Sequence, residues 1–403
     1  MYKSLQIIVF FLVVLLLLLY RNKRIKLANP IWLYLIIWCG TLVLYKLNIF
    51  LAFPQLSSTF YFVFITSILS FCIGSSFARP KISIQKEIPR IDIRKLFMIN
   101  SSLLFIIYIS FIVMVLKLGL PPSLGGTISR ADYYLSGYGN IYLLIYVFLF
   151  FSVYQISQRF RIKRNIFSIV LAFVTILLMG NKFPIFYFIW LVLYFLMLNS
   201  KLKLKHILYT FVLILLLFII AASLYQPNDL LHYYRKAQTG AILKGAYEYL
   251  YDPLLYLLCN FMNLNNWLVV PNFRLGFGVN SFGGIIHTLQ IPHAFLNMKS
   301  TTDYLWKENL QISWLTTGTY LKDIYSDFGI IGILVCPLIY GYISQYLHRK
   351  VKYLKNNSSL LSIYLDFLLT FSILTSFFTN YLGNNMILIN GLVAIIMIKL
   401  ITI

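Results

Sequence analysis

The chain is 403 residues long, 60% apolar or aromatic and only 11% charged, whereas soluble chains run nearer half apolar and a quarter charged. That balance excludes a set of water-soluble globular domains, and the apolar residues fall instead in blocks separated by short basic clusters, the pattern of membrane spans. The formal charge of +23 does not point to nucleic acid, because the basic residues are sorted by position along the chain and not gathered on one face. Cys39, Cys72, Cys259 and Cys336 lack metal-like spacing, so neither a zinc site nor a disulfide framework is supported.

In chain order, the first apolar block covers 5–20. It is followed by Arg21, Lys23, Arg24 and Lys26 and lacks a small-residue cleavage site, so it reads as an uncleaved span. Further blocks lie at 31–50, 59–77, 97–116, 140–157, 166–180, 184–199, 207–224, 328–347, 360–378 and 386–402. We expect an all-α polytopic membrane protein with about 11 transmembrane helices (range 10–12). Basic clusters at 21–26, 79–95, 159–164, 201–205 and 349–355 occupy every second loop and hold most of the 34 Lys and Arg. The positive-inside rule assigns those loops to the cytoplasm. The N-terminus then lies outside, with the loops near 51–58, 117–139, 180–184, 225–325 and 379–385. Three regions follow: spans over 1–224, one large outer segment at 225–325, and spans over 326–403.

The 225–325 segment is far longer than a helix connection requires, and such lengths are either functional or disordered. Its aromatic content, including Tyr233, Tyr234, Tyr247, Tyr249, Tyr251, Trp267, Phe273, Phe277, Trp306 and Trp314, argues for folding against the membrane surface. Residues 230–251 predict one helix lying along the interface. Asp252-Pro253 should break it, with a shallower helix at 254–264. Gly276, Gly278, Gly283 and Gly284 mark a turn-rich stretch before the chain re-enters near Tyr325.

Six of the eleven acidic residues share this segment: Asp229, Glu248, Asp252, Asp303, Glu308 and Asp323. So do His232, His287 and His293, while His206 and His348 sit at cytoplasmic boundaries. Asp366 is the one clear ionisable residue within a span, which speaks against a transport pathway. On the outer face, Arg130, Arg235 and Arg274 carry the planar fork that suits a pair of phosphate oxygens, as in a lipid-linked diphosphate. The alternative role for each is a lipid headgroup or a loop acid. His287, His293, Asp303 and Glu308 are candidate general bases for a sugar hydroxyl, or ordinary surface side chains. Aromatics nearby suit sugar stacking or, the commoner role, interfacial anchoring.

One stretch is specific: Thr316-Thr317-Gly318-Thr319-Tyr320, then Tyr325-Ser326-Asp327-Phe328-Gly329-Ile330-Ile331-Gly332, with Gly341 beyond, and Asn280-Ser281-Phe282-Gly283 before it. It resembles the oligosaccharide repeat-unit polymerases, the Wzy-type enzymes of bacterial O-antigen and capsule assembly, which share this chain's length, span number and late outer loop. The chain departs from the family at Gly180-Asn181-Lys182, where related enzymes often show Gly-x-Arg. The resemblance implies a glycosyl transfer in which a growing glycan leaves undecaprenyl diphosphate and joins the non-reducing end of a new lipid-linked repeat unit. It implies no cofactor and no metal. The partners implied are the undecaprenyl-diphosphate-linked oligosaccharide, membrane lipid and a chain-length regulator protein. Arg130, Arg235 and Arg274 would hold diphosphate; His287, His293 or Asp303 would activate the acceptor. Asp327 is either part of the catalytic set or the cap of the helix that begins there, and Gly332 permits close packing.

Rival readings are an O-antigen ligase or other lipid-linked glycan transferase, a polysaccharide transporter or flippase, and a non-enzymatic membrane scaffold. A transporter would show two similar halves, short outer loops and charged mid-span residues. None of these is visible in the sequence.

Overall fold

The computed structural model describes residues 29–79, 91–121, 137–180, 182–199, 229–243, 250–270, 275–283, 303–354, 358–383 and 385–402, with residues 124, 248 and 286 besides. The expected spans at 5–20 and 207–224 lie outside the described residues. All other expected spans coincide with helices: α1 (Pro30–Lys46), α2 (Ser58–Phe77), α3 (Ile93–Leu118), α4 (Gly137–Tyr142), α5 (Ile145–Ser157), α6 (Ile162–Leu178), α7 (Lys182–Leu198), α8 (Asp229–Thr239), α9 (Tyr251–Trp267), α10 (Tyr320–Leu354), α11 (Leu360–Thr375) and α12 (Asn385–Ile401), of which α8 and α9 belong to the 225–325 segment. Beyond two isolated β-bridges, Phe50 with Ala241 and Ile91 with Thr402, the described residues are helical or irregular. Among the described residues, four stretches are long and apolar enough to cross a membrane: Ser58–Phe77, Ile93–Leu118, Gly137–Ser157 and Tyr320–Leu354. Shorter apolar helices occupy Pro30–Lys46, Phe183–Leu198, Leu360–Thr375 and Ile389–Ile401.

The described residues form two compact units. The first draws on Met1–Lys81, Asn228–Lys350 and Leu368–Asn385; the second on Ile82–Pro227, Val351–Phe367 and Met386–Ile403.

In the second unit, α3 packs on α4, α5 and α6, and α5 also meets α7. The block expected as one span at 140–157 is divided here. A tight turn at Leu143 and Leu144, where Leu144 N–H bonds Ile141 O and Tyr146 N–H bonds Leu143 O, separates α4 from α5. Several buried polar groups in this apolar setting are paired, as the lack of water favours. Asn100 Nδ2 donates to Ser152 Oγ at 2.8 Å, Ser110 Oγ to Tyr138 O at 2.5 Å, and Tyr194 OH to Asp366 Oδ2 at 2.7 Å. That last bond answers for the lone mid-span acid: Asp366 is buried against a phenol.

In the first unit, α9 packs between α1 and α2 and is its core, with Tyr251, Leu255, Leu258, Phe261, Met262, Leu264 and Trp267 all buried. This corrects the expectation of a helix at 230–251 followed by a shallow one. Helix α8 stops at Gly240, whose left-handed φ of 59° ends it, with Ala241 N–H bonding back to Lys236 O. Pro253 then stands in the first turn of α9, where its missing N–H has no helical partner to lose. A proline read as a breaker is therefore an initiator.

The start of α10 is tied to α1 and α2 by hydroxyls. Tyr34 OH lies 2.6 Å from Tyr320 OH and 2.5 Å from Ser67 Oγ, and the Tyr34 ring stacks on Phe71 at 4.1 Å. Tyr320 N–H also bonds Ser376 O, just past the end of α11. Farther along, α2 and α10 come so close that a Cβ on Gly74 would fall on the Leu338 carbonyl, and one on Gly341 on the Phe71 carbonyl.

Candidate active site

Helix α10 is interrupted by Gly329, at φ 58° and ψ −145°, a conformation essentially restricted to glycine. The break changes the hydrogen-bonding partners of the residues before it. Ser326 O and Asp327 O, which a continuous helix would spend on N–H groups four residues on, accept instead from Gly276 N–H at 3.0 Å and Phe277 N–H at 3.1 Å. The glycine-marked stretch 275–283 thus lies against the broken turn.

Asp327 completes the attachment. Its Oδ1 accepts from the Asn280 backbone N–H at 3.0 Å and Asn280 Nδ2 at 2.8 Å, and its Oδ2 from Ser281 N–H at 2.5 Å. The carboxylate is fully buried, and each charge-assisted bond of this kind contributes about 1.5–3 kcal/mol. Gly276 must be glycine here, because a Cβ would meet Asp327 Oδ1 and stand 2.7 Å from Asn280 Nδ2. On its far side the loop is held by Asn380, whose Nδ2 donates to Ser281 O at 3.0 Å.

Asp327 therefore does not cap the helix after Gly329. Both of its oxygens are engaged by the loop, and its role is to position that loop. Gly332 packs beneath Phe328 and Ile324, at 2.6 and 2.9 Å from where its Cβ would be, so its small size serves the kink and not a neighbouring span.

A second layer braces the turn before the break. Trp267 Nε1 donates to Ser326 Oγ at 2.9 Å, and its ring meets Trp306 edge-on at 5.7 Å. Trp306 Nε1 donates to Thr316 O at 3.1 Å. Lys322 Nζ lies 4.7 Å above the Trp306 ring and 3.2 Å from Asp323 Oδ1. Asn263 Nδ2 bridges Leu315 O and Thr317 O, each at 2.7 Å, fastening the Thr316–Tyr320 stretch to α9. Trp306→Ala should lower stability by about 3–5 kcal/mol, while Trp306→Phe, which keeps an aromatic ring but loses the hydrogen bond and the part of the indole packed on Gly318, should cost less. Thermal unfolding of the detergent-purified variants distinguishes the two.

Arg235 projects from α8 with its guanidinium carbon 4.8 Å from the Trp314 ring centroid. Trp314 is itself oriented by Nε1 donating to Gln238 Oε1 at 2.7 Å. The Arg235 Nε is buried and has no acceptor among the described residues. Its neighbour Lys236 pairs with Glu248 at 2.9 Å. Near it, burial pushes the Tyr251 phenol up to about 12, with Asp252 adding to the rise against the Thr239 hydroxyl and Arg235, so this hydroxyl remains neutral. Asp303, half-buried, opens the helical turn 303–308 that carries Trp306. In the same turn Tyr304 hydrogen-bonds Glu308, whose carboxylate holds the phenol above its ordinary value; Glu308 is thereby engaged. Burial pushes the Cys259 thiol up to about 12, which removes it as a nucleophile at neutral pH.

Arg130, Arg274, His287 and His293 lie outside the described residues. Among the described candidates, Arg235, Asp303 and Asp327 belong to the first unit and make no hydrogen bond or ion pair with one another. What the fold does unite is Asn280-Ser281 with Asp327. Asn263 and Asn380 carry no expectation from the sequence, and Trp306 is expected only as one of the segment's aromatics; a buried asparagine is a cue only once its helix is known to be core. No family model, curated protein or solved structure matches the chain.

Proposed function

We propose that the chain is a bacterial inner-membrane glycosyltransferase that polymerises undecaprenyl-diphosphate-linked oligosaccharide repeat units into O-antigen or capsular polysaccharide. The observation that supports this reading is the meeting of its two resemblance-bearing stretches. Asn280-Ser281 and the Tyr325–Gly332 motif, distant in sequence, are joined through the Asp327 carboxylate. In this reading the basic loops face the cytoplasm, the N-terminus is outside, and the 225–325 segment works on the periplasmic face. Arg235, with Arg274 and Arg130, holds diphosphate and stabilises the charge that develops as it leaves. His287, His293 or Asp303 takes the acceptor proton. Asp327 positions the 275–283 loop.

The test is a gel of surface glycan from cells lacking the gene, complemented with variants at matched protein levels. Wild type should restore a ladder where the deletion leaves a single repeat unit on the lipid core. Arg235→Ala should shorten the ladder and Arg235→Lys should not restore it, because lysine lacks the planar fork that stacks on Trp314. A deletion that leaves no unit on the core while lipid-linked polymer accumulates indicates a ligase. An unchanged ladder overturns the reading.

A further inference from the structure

The loop 275–283 has an outer side that the attachment to Asp327 leaves bare. Gly276, Gly278, Val279, Asn280, Ser281 and Gly283 are buried, whereas Leu275, Phe277 and Phe282 are 38%, 70% and 51% exposed. Phe277 moreover sits at φ 50°, a left-handed conformation that a bulky residue keeps only where its surroundings hold it. Here the hold is visible: Phe277 N–H bonds Asp327 O, and the next turn of the loop is gripped by the Asp327 carboxylate. Strain of this kind, used to present an uncovered aromatic ring, calls for a partner.

The partner's chemistry is set by what continues from the loop. After the break, α10 exposes Ile331, Leu334, Val335, Ile339, Tyr342 and Ile343 at the three- and four-residue spacing of one helix face, on a helix long and apolar enough to cross a membrane. Leu275 Cδ2 lies against Gly329, 3.7 Å from where its Cβ would be, and Asp327, the residue bonded to Phe277, is one turn before Ile331. Leu275 thus lies at the head of that apolar stripe, and Phe277 and Phe282 are exposed on the same loop. We infer that the 275–283 loop is an aromatic wedge seated in bilayer lipid, with Phe277 and Phe282 among the upper acyl chains and Asp327 holding them there. Apolar and aromatic side chains at such a boundary gain by burial in the interface. The inference does not rest on the glycan-polymerising reading.

The experiment uses the full chain in vesicles of phosphatidylethanolamine and phosphatidylglycerol, with the photoreactive analogue p-benzoyl-phenylalanine placed at 277, at 282, or at Phe62. Phe62, on the apolar face of α2 and 57% exposed, is the lipid-facing reference. After irradiation, mass spectrometry should find phospholipid adducts at 277 and 282 in yields comparable to those at 62. Adding Asn280→Ala or Asp327→Asn should cut the adducts at 277 severalfold while leaving those at 62 unchanged, which also reports that the variant is folded. Phospholipid adducts at 62 but not at 277 and 282, or cross-links from these to a second copy of the chain, would overturn the inference. Adducts at 277 unaltered by both substitutions would overturn the part assigned to Asp327.

Discussion

Asp327→Ala is expected to destabilise the protein by at least about 3 kcal/mol and to abolish whatever activity depends on the 275–283 loop. Three donors, the N–H groups of Asn280 and Ser281 and the Asn280 amide, end on this one carboxylate in a fully buried position. Removing the acceptor strands all three, and each stranded donor costs about 1–3 kcal/mol in desolvation with nothing returned. Asp327→Asn should fall between alanine and wild type, because it keeps the shape but turns an amide N–H toward another N–H. Asn280→Ala removes a donor and leaves the acceptor with two partners, so its cost should be the smallest of the series. Intrinsic fluorescence during thermal unfolding in detergent is a local probe as well as a global one, since Trp267 Nε1 bonds Ser326 Oγ next door. Coincident melting of Asp327→Ala and wild type would contradict the account.

The second large effect is expected where α2 and α10 touch. Gly74 and Gly341 face backbone carbonyls of the opposite helix, Leu338 O and Phe71 O, with no room for a Cβ. Ser75 Oγ also donates to Gly341 O at 3.1 Å across the same contact. A backbone atom cannot swing aside as a flexible side chain can, so even alanine must push the helices apart, at a cost of about 1–3 kcal/mol for each site. Leucine should be worse at either position. The two alanine variants share one interface, so their combination should cost less than the sum, the separation having already been incurred by the first. Close contacts through small residues are the usual means by which apolar helices associate where lipid competes for every larger side chain. Wild-type melting in both alanine variants would show the helices to be farther apart than described.

Hydropathy and charge made the helical plan legible because they depend on composition over some twenty residues and not on any one partner. The failures are local. Pro253 was read as a break since a proline's effect depends on whether it falls in the first turn of a helix or its middle, and that register is decided by α9 being packed between α1 and α2. The 140–157 block gave no cue to its turn, as Leu143 and Leu144 are as apolar as their neighbours. At the site, the glycines of 276–283 announced a turn and Asp327 announced importance. That the two belong together depends on a contact across more than forty residues, which periodicity cannot report. Asn380 carries no local signal at all.

The order of the partners along the chain has a consequence for how this protein is made. Donors at 276, 277, 280 and 281 are synthesised before the carboxylate at 327, and the span that follows Gly329 emerges only afterwards. A charged side chain at the mouth of a membrane helix is costly while it waits alone. Here the acid is made after its receptor, so the loop's donors already exist to solvate its charge when the head of α10 reaches them. Asn380, which holds Ser281 from the other side, comes last and closes a contact already made.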